Sequence, residues 1–134
     1  MEITALQPGL VGEAQTVVVP ENTAQHMGSG TVAVFATPAM IALMEQAAVR
    51  AVTPHLPPGW QTVGIRVDVR HLAATPLGLT VTARAELLKV EGRRLTFRVT
   101  ARDEKELVGE GVHERALIDL ARFQERVAAK APRG

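Results

Sequence analysis

The chain holds 134 residues, the size of one domain, and 46% of them are hydrophobic, enough for one sizeable core without staples. A formal net charge of +1 and few aromatic side chains (Phe35, Trp60, Phe97, Phe123) leave neither a phosphate-tracking stripe nor a stacking platform, which argues against nucleic acid as the partner. The absence of cysteine excludes disulfides, thiolate metal sites and a cysteine nucleophile, and fits a cytosolic protein.

Met1 to Ala5 carries no basic region and no apolar run, so no signal peptide and no transmembrane segment are expected and the protein reads as cytoplasmic. Pro8-Gly9 marks a turn. Residues 11–19 read as a strand with Val11, Glu13, Gln15, Val17 and Val19 on one side, driven by the β-prone Val17-Val18-Val19 and ended by Pro20. Residues 21–30, with Asn22, His26, Gly28, Ser29 and Gly30, read as a loop, and 31–35 as a short apolar lead-in.

Residues 37–52 are the centre of the chain. Thr37 is placed to cap a helix with its hydroxyl, and Pro38 suits the first helical position. Ala, Met and Leu then favour the helix until Pro54 stops it. At about 24 Å it is too short for an ordinary membrane span. Glu45, Gln46 and Arg50 are its only long polar side chains, so burial nearly all round is expected. Glu45 then becomes a carboxylate in apolar surroundings, costly unless paired and with a pKa expected to rise, which makes it a site candidate. The competing reading is a structural pair with an arginine such as Arg50 or Arg115.

Pro54, Pro57, Pro58 and Gly59 form a rigid loop. Val63, Ile65, Val67 and Val69 then alternate with Gly64, Arg66, Asp68 and Arg70 as a strand with one buried face, and His71 falls in phase with the valines, pointing inward. Residues 79–89 alternate again, with Leu79, Val81, Ala83, Ala85 and Leu87 inward. Glu91-Gly92 is a hairpin signal, and Leu95, Phe97, Val99 and Ala101 form the inward set of the next strand. After a solvated turn at 103–106, residues 107–118 make a last strand whose Gly109 and Gly111 indicate a bulge or close backbone approach. Residues 119–130 read as a terminal helix with Leu120, Phe123 and Val127 on one stripe.

Long strands joined by tight connections pair antiparallel, and one face of their sheet needs a cover. The helix at 37–52 is apolar enough to supply it. The expected architecture is therefore α+β, a curved antiparallel sheet wrapped around one long helix within a single domain spanning 1–134. A helix apolar on its far side as well points to a homodimer or higher homo-oligomer.

The segment Val34-Phe35-Ala36-Thr37-Pro38-Ala39-Met40-Ile41-Ala42-Leu43-Met44-Glu45 resembles the helix of hot-dog-fold acyl-CoA thioesterases, above all the branch that includes fluoroacetyl-CoA thioesterase. The resemblance runs on through residues 69–81, the Val90-Glu91-Gly92-Arg93-Arg94-Leu95 turn and His113-Glu114-Arg115-Ala116. It implies the hot-dog fold and a catalytic set of Thr37, Glu45 and His71. It also implies that Gly64 and Arg115 belong to the site, and with Phe35 they are the candidate substrate-binding residues. The family member specialised for fluoroacetyl-CoA has a longer, phenylalanine-bearing insert before the helix. Here that interval, residues 25–33, is shorter and without phenylalanine, so the resemblance implies thioesterase chemistry but not that substrate.

Thioester hydrolysis needs a carboxylate or hydroxyl that attacks or activates water, donors for the oxyanion, and a proton for the departing thiolate. Glu45, the helix N-terminus at Thr37, and His71 match those needs. Eight residues along one helix separate Thr37 from Glu45 by about 12 Å and roughly 80° of rotation. Either the substrate and His71 bridge them, or two subunits share one site. No pair of histidines has the helical spacing of a metal site, and no metal or cofactor is expected. The CoA phosphates would need basic residues, for which Arg66, Arg70, Arg93 and Arg94 are candidates by position. A non-catalytic acyl-CoA-binding dimer is the alternative function. A dehydratase on the same fold is disfavoured because its Asp-His pairing is not found.

Overall fold

The computed structural model describes residues 3–132; Met1 and Glu2, part of the segment read as leaderless, lie outside it. The described residues form five antiparallel strands: β1 (Val11–Val17), β2 (Trp60–His71), β3 (Thr80–Glu91), β4 (Arg94–Arg102) and β5 (Leu107–Asp119). Their order across the sheet is β1-β3-β4-β5-β2. Helix α1 (Ala24–Met27) is a single turn in the segment expected to be loop, and helix α2 (Thr37–Val52) is the long central element. Helix α3 (Leu120–Ala128) follows β5 directly. The α+β arrangement expected from the sequence, a curved sheet closed over one helix, is the one observed.

The core lies between α2 and the sheet. Met40, Leu43, Met44, Ala47, Ala48, Ala51 and Val52 of α2 are buried against Val81, Ala83, Ala85 and Leu87 of β3 and Leu95, Phe97, Val99 and Ala101 of β4. Every inward residue expected in these two strands is buried apart from Leu79, which lies just before β3. Their register is continuous except for one extra residue near Leu87.

In β1, Val11, Glu13, Gln15 and Val17 share one face, as expected, and it is the outward one; Gly12, Ala14 and Thr16 face the helix, and the strand ends at Val17 rather than Val19. Other elements depart from expectation. Helix α2 is not apolar all round: Pro38, Ala42, Gln46 and Arg50 lie along an exposed stripe at i, i+4 spacing. Alanine is a good helix former but too small to demand burial, which is why the pattern overstated the apolar surface. In α3 the stripe is only partly packed, with Leu120 and Phe123 half-buried and Val127 exposed, and Asp119 caps its first turn. No helix among the described residues is long and apolar enough to cross a membrane.

Candidate active site

Thr37 is the first residue of α2, and Ala36 occupies the capping position without a side-chain bond. The hydroxyl expected to cap the helix is therefore spent elsewhere: Thr37 Oγ1 lies 2.7 Å from His71 Nδ1. The lead-in strand positions it. Phe35 N–H donates to the Thr75 carbonyl and Ala36 N–H to the Asn22 carbonyl, so the chain entering α2 is pinned on both sides. Thr75, fully buried, donates its own hydroxyl to Asp103, whose other oxygen accepts the N–H groups of Lys105 and Glu106.

His71 ends β2 and faces the helix, as expected. Its Nδ1 meets Thr37, whereas its Nε2 is buried with no partner among the described residues. Burial lowers its pKa from the ordinary imidazole value, partly offset by the backbone of Ala73, so the ring is neutral near pH 7. With the proton on Nε2, Nδ1 accepts the Thr37 hydroxyl, the relation of a nucleophile to its base. A hollow of about 330 Å³ opens beside the pair, lined among others by Ser29, Phe35, Leu72 and Ala74. The donors of the first helical turn have no partners within the helix; Pro38 has no N–H, and Thr37, the first residue of the helix, lines this hollow.

Glu45 lies in a second cluster. Its Oε2 accepts from Arg115 Nη1 at 3.3 Å. The arginine is deeply buried, its side chain 7% exposed, whereas the Glu45 side chain is 40% exposed. Glu45 is thus half-exposed and paired, not sealed in apolar surroundings, because the exposed stripe of α2 passes beside it. Burial lowers the Arg115 pKa and Glu45 raises it in part; the guanidinium stays charged. Arg115 also donates Nε to Thr62 Oγ1 and Nη2 to the Thr62 carbonyl. Arg50, the other candidate partner, bonds instead to the Glu13 carbonyl. A hollow of about 330 Å³ lined by Ala42, Glu45, Gln46, Val49, Arg50 and Arg115 lies against the carboxylate.

A bulge in β2 makes this second cluster. Gly64 pairs with Arg115 and Arg66 with Glu114, leaving Ile65 without a partner in β5. The side-chain phase therefore inverts at Ile65. Thr62 and Gly64 face the helix before it, and Val67, Val69 and His71 face it afterwards. The expectation that Val63, Ile65, Val67 and Val69 share one buried face fails for this reason, and Ile65 is 53% exposed. A Cβ on Gly64 would lie 2.6 Å from Glu45 Oε2, so glycine is what lets the carboxylate reach Arg115.

The structure thus brings Thr37 and His71 together, and Glu45, Gly64 and Arg115 together, while the two groups line separate hollows of one protomer. Phe35 is buried beneath the first. His113, not singled out from the sequence, joins the second: it contacts Arg115 at 3.2 Å. Its available signal was its place two residues before Arg115, on the same face of β5. Of the arginines considered for the CoA phosphates, Arg66 bonds Glu114, Arg94 lies 3.6 Å from Glu91 and Arg93 stacks over Trp60. Arg70 makes no ion pair among the described residues.

The family model described as fluoroacetyl-CoA-specific thioesterase matches residues 18–121. A fluoroacetyl-CoA thioesterase of Streptantibioticus cattleyicolor is 47% identical over 92% of this chain and 96% of its own length. The solved structure of the fluoroacetyl-CoA thioesterase FlK is 44% identical, covers 95% of this chain and 98% of that one, and superposes with a TM-score of 0.88. Solved variants of that enzyme alter a phenylalanine and, six residues later, a threonine. A hot-dog-like protein from Thermanaerovibrio acidaminovorans is 27% identical, covers 99% of this chain and 100% of that one, and gives a TM-score of 0.88. With most of its length matched by the family model and by a relative of 47% identity, the chain belongs to the fluoroacetyl-CoA-specific thioesterase family.

Proposed function

We propose that this protein hydrolyses a small acyl-CoA to the free acid and CoA, with Glu45, Thr37 and His71 as the reacting groups. The activity follows from the family. The observation that carries the residue assignment is a carboxylate held by the buried Arg115 at the mouth of a hollow, in the same molecule as a hydroxyl–imidazole pair at a helix N-terminus. Glu45 attacks the thioester carbonyl or activates the water that does. The N–H groups of the first turn of α2 receive the charge that develops on the carbonyl oxygen. The C–S bond breaks, the acyl carbon gains the hydroxyl of water, and the thiolate leaves with a proton relayed by His71 and Thr37. Gly64 and Arg115 hold the carboxylate, and Phe35 shapes the acyl end of the first hollow. No metal or resident cofactor takes part in this scheme.

The substrate we infer is a short acyl group other than fluoroacetyl. Six residues before Thr37 stands Thr31, whereas the threonine altered in the solved variants of FlK has a phenylalanine six residues before it. The two half-sites are joined, in this reading, by a homodimer: β2 is an edge strand with exposed Ile65 and Val67, and α2 carries an exposed stripe of its own at Pro38, Ala42, Gln46 and Arg50. A second copy seated there sets its own Thr37 and His71 toward Glu45. We take the chain as a single domain acting in the cytoplasm.

The test is hydrolysis of acetyl-CoA and longer acyl-CoAs, with free CoA trapped by a thiol reagent. Glu45→Ala is expected to lower kcat by about 100-fold or more; a variant at full rate removes Glu45 from the chemistry. Acyl-CoA that raises Tm without being hydrolysed would mark a binding module instead.

A further inference from the structure

His113 is the one buried ionisable side chain beside Glu45 that the scheme above leaves without a task. It is 1% exposed and lies against Phe97, ring centroids 6.2 Å apart. Its Nδ1 is 2.8 Å from the carbonyl of Arg66, the residue next to the bulge. A carbonyl only accepts, so Nδ1 carries the proton. Its Nε2 is 3.2 Å from Arg115 Nη1. A guanidinium only donates, so Nε2 offers its lone pair, and the ring is the neutral Nδ1–H tautomer. This accounts for both donors on Arg115 Nη1: one goes to Glu45 and one to His113. The His113 Cε1 also lies 3.4 Å from where a Cβ on Gly64 would stand, which places the ring at the wall of the carboxylate's niche.

We propose that His113 is a positioning residue for the hydrolysis: as the neutral Nδ1–H tautomer it ties the β2 bulge to Arg115 and so fixes the carboxylate of Glu45. This rests on the assignment of Glu45 given above. A proton on Nε2 would set two donors face to face, displace Arg115 and free Glu45 to swing into solvent. The charged groups around the ring are Arg115 and Glu114 on β5, Arg66 on β2 and Glu45 on α2. Burial, the largest influence, lowers the His113 pKa; the bond to the Arg66 backbone raises it, Arg115 lowers it, and Glu45 and Glu114 raise it, with a net fall. The neutral form therefore holds at pH 7, and Nε2 gains a proton only below the ordinary imidazole pKa.

Two substitutions separate positioning from packing. His113→Asn keeps a donor near the Nδ1 position and loses the acceptor for Arg115; His113→Gln keeps an acceptor near the Nε2 position and cannot take a proton. In the intact protein, Asn is expected to lower kcat roughly 10- to 100-fold with KM within about twofold, and Gln to recover most of that loss. The acid limb of kcat, set by His71 and His113 together, should become shallower in the Gln variant. Equal losses in both variants, an unaltered Asn variant or an equally steep limb in Gln would overturn the proposal. Long-range ¹⁵N–¹H spectra of the histidine rings at pH 8 give a readout independent of turnover. Nδ1–H at His113 is expected, and Nε2–H or a cation contradicts the proposal even if neither variant folds. A protein that hydrolyses no acyl-CoA yet shows Nδ1–H loses the proposed function, and the positioning role with it, but keeps the tautomer; one that hydrolyses with His113 as Nε2–H loses only this inference.

Discussion

The β3–β4 hairpin and the edge strand β2 are built from similar residues and do opposite work. In the hairpin the inward positions from Val81 to Leu87 and from Leu95 to Ala101 are filled by fully buried apolar side chains, and α2 closes over them. In β2 the phase inverts at Ile65, a glycine replaces a side chain at the most crowded point, and two ends of one strand serve two clusters: Thr62 and Gly64 for Glu45, His71 for Thr37. The hairpin spends its regularity on stability, whereas β2 gives up burial to aim polar groups.

That contrast can be broken from either side. The largest effect is expected in the hairpin: Leu87→Ala, at a fully buried position, should cost about 2–5 kcal/mol of unfolding free energy by denaturant titration, with kcat per folded molecule changed far less. A smaller effect with the reverse signature is expected in β2. Gly64→Ala pushes a methyl onto Glu45 Oε2, so kcat should fall roughly tenfold while the melting temperature stays within a few degrees. A Gly64→Ala enzyme that is fully active but unstable would show that β2 is ordinary scaffold. The smallest effect is on pH. The folded pKa values of His71 and His113 are both lowered, so the unfolded chain binds more protons below the ordinary imidazole pKa of about 6.5. Their contribution to stability is complete above that pH and is lost as pH falls toward the folded values. Melting temperature should therefore decline from pH 7.5 to pH 5.5, and the decline should be weaker in His113→Gln.

The same contrast explains what could be read from the sequence. Strands β3 and β4 are legible because from Val81 to Leu87 and from Leu95 to Ala101 each inward residue is apolar and each outward one polar, a period of two that is interrupted only beyond Leu87. The helix bounds were legible from Pro38 and Pro54. The bulge was not, since Ile65 continues the apolar alternation of Val63 and Val67 while the backbone departs from it. Nor was the partner of the Thr37 hydroxyl, because a capping bond is local and His71 lies 34 residues away. Glu45 stands out by its apolar neighbours, but its exposure does not, because Ala42 reads as apolar surface needing cover. His113 gives no signal, because a lone histidine in a strand carries no pattern, and only its three-dimensional place between Arg66 and Arg115 gives it a role.

The most direct test of the two-half site is complementation between subunits. Thr37→Ala and Glu45→Ala proteins are each assayed alone, then unfolded together, refolded as an equal mixture and assayed at the same total concentration, with the dimer verified by sedimentation. If the hydroxyl–imidazole pair of one copy serves the carboxylate of the other, both variants are nearly inactive alone and the mixture regains about a quarter of the wild-type rate, since half the dimers are mixed and each holds one intact site. A mixture that forms mixed dimers yet stays as inactive as its parents, or either single variant working at full rate, contradicts the account.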